Sequence, residues 1–223
     1  MEFIAYPDAD LMMVSLADRI AADLRQALTG GGRATLAVPG GTTPGPIFDV
    51  LAVTTLDWGR VDVLLTDERW VPESSDRSNT RLLRQRLLTG HAAAARLVPL
   101  YAEAAMPEDQ LDALEAGVAA VLPLTICLLG MGADMHTASI FAGADRLDQA
   151  LSGPRLIEAM RAPGAPEPRV TLTAPVLQGA LQRHIAIIGQ AKRDALDRAR
   201  HLTPQQAPIA AVLRGATVHW AEG

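Results

Sequence analysis

The chain has 223 residues, enough for one large α/β domain or two small ones, and 49% of them are hydrophobic. Aromatics make up only 4%, so the core has to be built from Leu, Val, Ile and Ala. The net charge of −5 comes without a basic stripe, which argues against a nucleic-acid partner but leaves a phosphorylated small molecule open, because local residues decide such a site.

The single cysteine, Cys127, lies inside an apolar run, so no intramolecular disulfide forms and the thiol reads as core. Met1 to Pro7 carries an acid rather than a base and lacks a long apolar stretch. No apolar run reaches the ~18 residues of a membrane span. The expectation is a soluble, cytoplasmic protein with no membrane segment.

Asp8 or Asp10 can cap a first helix, in which Met13, Ala17, Ile20, Leu24 and Leu28 recur at helical spacing until Gly30-Gly31-Gly32 ends it. Ala34 to Val38 reads as a buried strand. Pro39-Gly40-Gly41-Thr42-Thr43-Pro44-Gly45 follows, with Pro44 suited to a helix start. Glycines that let a ligand approach, two hydroxyls and the free N–H groups of a helix start together suit a phosphate or a sugar hydroxyl. The loop is neither a Walker loop nor GxGxxG.

Val61 to Thr66 is the next buried strand, and Asp67-Glu68-Arg69-Trp70 comes off its end. Ser78 or Asn79 can cap a helix carrying Leu82, Leu83, Leu87 and Leu88, with Arg81, Arg84 and Arg86 on a solvated face. Arg96 to Leu100, with its proline, reads as a short edge strand. Pro107 to Leu122 reads as a helix with Leu111, Leu114, Val118 and Val121 on one face.

Thr125 to Leu129 is a further buried strand, closed by Gly130-Met131-Gly132. Asp134 is an N-cap candidate, and His136-Thr137-Ala138-Ser139 would form the first turn of a helix. After Phe141 the pattern turns loop-like through Pro154 and Pro163 to Pro168. Arg169 to Thr173 alternates as a strand, Ala174 to Leu181 is a short helix, and His184 to Ile188 is a buried strand. Lys192 then opens a helix, where its charge opposes the dipole, so an anion there would make sense of it. Pro208 to Leu213 is a short helix and Thr217 to Trp220 a last strand.

This alternation predicts an α/β fold: one domain over residues 1–223, with a parallel-rich open sheet covered by helices on both faces, Rossmann-like. Its polar strand ends would converge on one edge, where ligands bind in such sheets. They are Gly40 to Thr43, Asp67 to Arg69, Asp134 to Ser139 and Gly189 to Lys192.

These segments, in this order, resemble the 6-phosphogluconolactonases of the sugar-phosphate lactonase and isomerase superfamily. The matching pieces are Pro39-Gly40-Gly41-Thr42-Thr43-Pro44, Asp67-Glu68-Arg69 with Ser78-Asn79, Gly130-Met131-Gly132-Ala133-Asp134-Met135-His136-Thr137-Ala138-Ser139, Arg169-Val170-Thr171-Leu172 and Gly189-Gln190-Ala191-Lys192. They span nearly the whole chain. Two positions depart from the family pattern. Pro39 replaces a serine. Met135 replaces a glycine, which would strain a left-handed backbone or narrow the pocket.

The resemblance implies hydrolysis of 6-phospho-D-glucono-1,5-lactone to 6-phospho-D-gluconate in the oxidative pentose phosphate pathway. His136 would be the general base and Asp67 or Asp134 would orient it. Arg69 or Arg77 would stabilise the oxyanion or bind substrate hydroxyls. Gly40, Gly41, Thr42, Thr43, Arg169 and Lys192 would hold the phosphate. HExxH, CxxC and GxSxG are all absent, so the expectation is no metal, no cofactor and no serine nucleophile. Two rival readings are a glucosamine-6-phosphate deaminase or isomerase, and a non-catalytic sugar-phosphate sensor.

Overall fold

The computed structural model describes residues 1–223. In chain order the elements are β1 (Glu2–Ala5), α1 (Ala9–Leu28), β2 (Ala34–Val38), α2 (Gly45–Val53), β3 (Val61–Leu65), β4 (Asp67–Arg69), α3 (Asn79–Arg86), β5 (Arg96–Val98), α4 (Leu111–Ala119), β6 (Ile126–Gly130), α5 (Leu147–Ser152), β7 (Ile157–Met160), β8 (Arg169–Leu172), α6 (Ala174–Gln178), β9 (Gln182–Ile188), α7 (Gln190–Ala199) and β10 (Thr217–Ala221). Short 3₁₀ turns precede β3, β5, α4 and β10.

Seven strands form one sheet in the order β1-β10-β9-β6-β2-β3-β5, with every neighbouring pair parallel. All residues of β2 and β3 are buried, as a parallel sheet covered on both faces requires. The covering is visible on β10. His219 faces His184, which lies 3.7 Å from Asp23 of α1, while the next residue, Trp220, takes the guanidinium of Arg193 from α7 on its ring. The expected α/β architecture holds.

Helix α1 forms where its pattern said it would. Asp8 caps it, accepting from the Leu11 N–H at 2.7 Å, and Met13, Ala17, Ile20, Leu24 and Leu28 are all buried. Ser78 rather than Asn79 caps α3, accepting from the Arg81 N–H. The expected helix over 107–122 is a short 3₁₀ turn followed by α4, with the four predicted apolar residues buried. Cys127 is fully buried, and burial pushes its thiol up to about 12, so it is inert packing.

A second, three-stranded antiparallel sheet, β4-β8-β7, lies off the end of the first. The chain passes into it through Thr66, whose N–H bonds the Val38 carbonyl and whose carbonyl accepts from Leu172. The predicted strand at 169–173 belongs here, antiparallel, and not to the parallel sheet. The stretch after Phe141 is not all loop either, because it contains α5 and β7.

The helix expected to start at Asp134 does not exist. Met135 and Ala138 both have positive φ, 66° and 48°, and Thr137 pairs with Ile140 as an isolated bridge. Two left-handed residues within four cannot propagate an α-helix. The segment is a looped strap between β6 and α5.

Candidate active site

Chain order reverses across the sheet at β2. From β2 the chain builds outward through β3 to β5, then returns to add β6 on the other side of β2. The polar loops after β2 and β6 therefore part above a switch point, and a cleft of about 220 Å³ opens there. Of the residues predicted to form the site, Gly40, Gly41, Thr43, Asp67, Arg69, His136, Arg169 and Lys192 line it. Thr42, Arg77 and Asp134 do not.

His136 is held from two sides. Its Nδ1 lies 2.5 Å from Asp134 Oδ1, and its ring stacks on Phe141 with centroids 4.2 Å apart. A carboxylate only accepts, so Nδ1 carries a proton, and the neutral ring has its lone pair on Nε2. Of the two expected orienting acids, Asp134 is the one in contact with the ring. The side chain of His136 is 30% exposed and that of Asp134 61%, so the pair is open to water. Gly132 is required beneath it, because a Cβ there would overlap both the Asp134 carboxylate and the imidazole.

The strap is fixed by its own backbone. The Gly132 N–H bonds the His136 carbonyl, the Met135 N–H bonds the Gly132 carbonyl, and the Met135 carbonyl accepts from Ile209. Thr137 Oγ1 donates back to the Gly130 carbonyl at 2.9 Å. Met135 thus adopts a left-handed conformation that glycine would adopt without strain, and it is absent from the cleft lining. The pocket is not narrowed by it.

Asp67 serves a different wall. Its Oδ2 accepts from Ser139 Oγ at 2.6 Å, its Oδ1 from Thr66 Oγ1 at 3.3 Å, and Arg169 Nη1 stands 3.8 Å from Oδ2. No bond joins it to His136, so the alternative in which Asp67 orients the imidazole does not hold. Arg69 and Arg169 are cross-strand partners on β4 and β8, and each leaves a buried Nε without a partner. Burial pulls the Arg169 guanidinium below its ordinary value, with Asp67 opposing the shift. These two cations and Lys192, in the first turn of α7, make the cleft locally basic in an acidic chain.

Arg77 is turned away. It forms a bidentate pair with Glu167, whose carboxyl burial would raise but which Arg77, Arg169 and Arg69 hold below the usual carboxylate range. Its carbonyl instead accepts from Arg69 Nη1 at 2.9 Å, so Arg77 steadies Arg69 without reaching the cleft. Asn79 is a site residue that the sequence pattern does not single out. It lines the cleft although its sequence position suggested a cap. Its signal was the capping serine beside it, which makes Asn79 the first helical residue. No group of three or more His, Cys, Asp or Glu side chains is arranged to hold a metal ion.

A family profile described as glucosamine-6-phosphate isomerases/6-phosphogluconolactonase matches residues 7–220. The chain belongs to this family. A 6-phosphogluconolactonase of Rhizobium meliloti (strain 1021) is 44% identical over 216 residues, covering 93% of each chain. A crystal structure of a 6-phosphogluconolactonase from Shewanella baltica OS155 superposes with a TM-score of 0.96 at 31% identity, covering 99% of this chain and 97% of that one. A monomeric glucosamine-6-phosphate deaminase shares the fold alone, at 15% identity and a TM-score of 0.82, over 99% of this chain and 97% of its own. Both branches of the family thus use this scaffold, and the residues in the cleft have to discriminate between them.

Proposed function

We propose that this member of the family hydrolyses 6-phospho-D-glucono-1,5-lactone to 6-phospho-D-gluconate in the oxidative pentose phosphate pathway, as a carboxylic ester hydrolase. The observation that carries the reading is His136, bonded through Nδ1 to Asp134 and lining a cleft shared with Arg69, Arg169 and Lys192. The similarity to lactonases over 93% of the chain supports it.

In this reading water attacks the lactone carbonyl while His136 Nε2 takes its proton, a general-base contribution of about 10²–10⁴-fold. Asp134 keeps the ring in the productive tautomer and stabilises the imidazolium. Arg69, steadied by the Arg77 carbonyl, faces the developing oxyanion. Collapse of the tetrahedral intermediate breaks the bond between C1 and the ring oxygen, and the imidazolium returns the proton to that oxygen. Arg169 and Lys192, with the glycine loop at Gly40 and Gly41, hold the phosphate. Asp67 acts through Ser139 and Arg169, and Arg77 through Arg69, rather than on the substrate directly. The reading keeps the protein in the cytoplasm, as the sequence suggested. No helix is long and apolar enough to cross a membrane.

The test is lactone hydrolysis by wild type and His136→Ala beside a no-enzyme blank, since such lactones open spontaneously. Wild type is expected to exceed the blank and the variant to fall towards it. A wild type that only matches the blank removes the reading. Ammonia release from glucosamine 6-phosphate would replace it with the deaminase reading.

A further inference from the structure

Asn79 lines the cleft, yet the activity proposed above gives it no task. It is buried, with 4% of its surface exposed. Its Nδ2 donates to the Asp67 carbonyl at 3.0 Å. A carbonyl oxygen only accepts, so this bond fixes which end of the amide carries its oxygen. That oxygen, Oδ1, accepts no hydrogen bond from the protein and is not sealed from solvent. The amide lies flat on Gly40, where a Cβ would overlap it.

The aim of this amide is set by Glu68. The carboxylate of Glu68 is fully buried at the start of α3 and accepts from the N–H groups of Asn79 at 2.8 Å, Thr80 at 2.7 Å and Arg69 at 2.7 Å. Thr80 Oγ1 adds a further bond at 2.7 Å. A carboxylate satisfied in this way by a helix's first N–H groups ties the first turn of α3 to β4.

The other polar groups in the cleft are mostly donors: two guanidinium groups, an ammonium and the backbone N–H groups of the glycine loop. They suit a phosphate and a carbonyl oxygen. A sugar hydroxyl that donates its proton needs an acceptor. Asp67 also lines the cleft, but each of its carboxylate oxygens already accepts one bond, from Ser139 and from Thr66. Asn79 Oδ1 accepts none, so both of its lone pairs are free for a donor in the cleft.

We infer that Asn79 Oδ1 accepts a hydrogen bond from a ring hydroxyl of the substrate, so that the site selects a polyhydroxylated lactone, with Glu68 as the positioning residue that holds Asn79 in place. The inference deepens the lactonase reading and rests on it. Its test is a cycle of kcat/KM values for wild type and Asn79→Ala. The substrates are 6-phosphoglucono-δ-lactone and the analogues lacking one ring hydroxyl each.

The variant is expected to lose about tenfold on the parent lactone, the size of one hydrogen bond to a desolvated partner. One analogue is expected to lose about as much with wild type and nothing more with the variant. A purely structural role for Asn79 would make the two losses multiply for every analogue, and that result would overturn the inference while leaving the lactonase reading intact. A wild type no faster than the blank on the parent lactone would remove both. Should the alanine variant melt early, Asn79→Ser repeats the cycle, since serine suits a helix start and its hydroxyl is too short to reach.

Discussion

His136 and the pair His184 and His219 lie within three neighbouring strands or the loop that follows them, and their surroundings differ in every respect that matters to an imidazole. His136 sits past the end of β6, part-exposed, with a carboxylate at 2.5 Å. His184 and His219 sit inside β9 and β10, 1% and 0% exposed. They bond each other at 3.1 Å, and Tyr6 Oη bonds the far side of His219 at 2.9 Å. The nearest carboxylate, Asp23, stays 3.7 Å from His184 Nε2, which has no hydrogen-bond partner. Burial first, then the charges of His184 and Arg19, depress His219 to about 3, and burial likewise depresses His184. Position along the strand separates the two kinds. A histidine beyond the strand end keeps water and an acid partner within reach. A histidine within the strand is biased towards its neutral form by burial.

The sharpest way to break this comparison is His136→Ala, expected to cost about 10²–10⁴-fold in lactone hydrolysis with no change in melting temperature. Equal loss on replacing His184 would show that the division is wrong. The buried pair answers to pH instead. In the unfolded chain both imidazoles take a proton near the usual ~6.5, whereas in the folded chain burial holds both below it, His219 at about 3. Their contribution is therefore complete above about pH 6.5 and is lost as pH falls towards the depressed values, at ~1.4 kcal/mol per pH unit for each histidine. Urea midpoints between neutral and mildly acid pH should fall accordingly, and His219→Gln should make the fall shallower.

Asp134→Asn is expected to lower kcat roughly 10–100-fold, the value of a charge-assisted hydrogen bond, with KM little changed. A loss confined to KM would mean that Asp134 binds substrate rather than orienting His136. The smallest effect concerns the strap itself. Met135→Val is expected to lower stability by about 1 kcal/mol in a thermal melt, because a β-branched residue fits the left-handed region worst. Met135→Gly should leave kcat/KM within about threefold, since the methionine lies outside the cleft.

Much of this was legible in the sequence, and the reasons are specific. Fully buried parallel strands such as β2, β3 and β6 announce themselves as short Val/Leu/Ile runs, and α1 as a clean helical period. The small sheet was harder to see. Strand β4 is the tripeptide Asp67-Glu68-Arg69 with no alternation, and β7 carries the buried Glu158, paired with Arg146 at 2.9 Å. The strap imitates a helix start in sequence, because Asp134 is followed by small and hydroxyl residues. The Met135 backbone is held by bonds to Gly132 and, across the fold, to Ile209, which no local pattern encodes. The same limit explains Arg77, whose partner Glu167 is 90 residues away.

The order β1-β10-β9 has a consequence for how the molecule assembles. β1 is synthesised before every other strand, but its sole neighbour, β10, is synthesised after all of them. Until Thr217–Ala221 inserts between β1 and β9, the first strand has nothing to pair with, and the wire from Tyr6 through His219 to His184 cannot form. Such distant pairing raises the contact order, so docking of β1 should be a late and slow event in refolding. A nascent chain stalled before β10 would display the edge of β9, which β10 covers in the finished fold, to whatever binds unpaired strands.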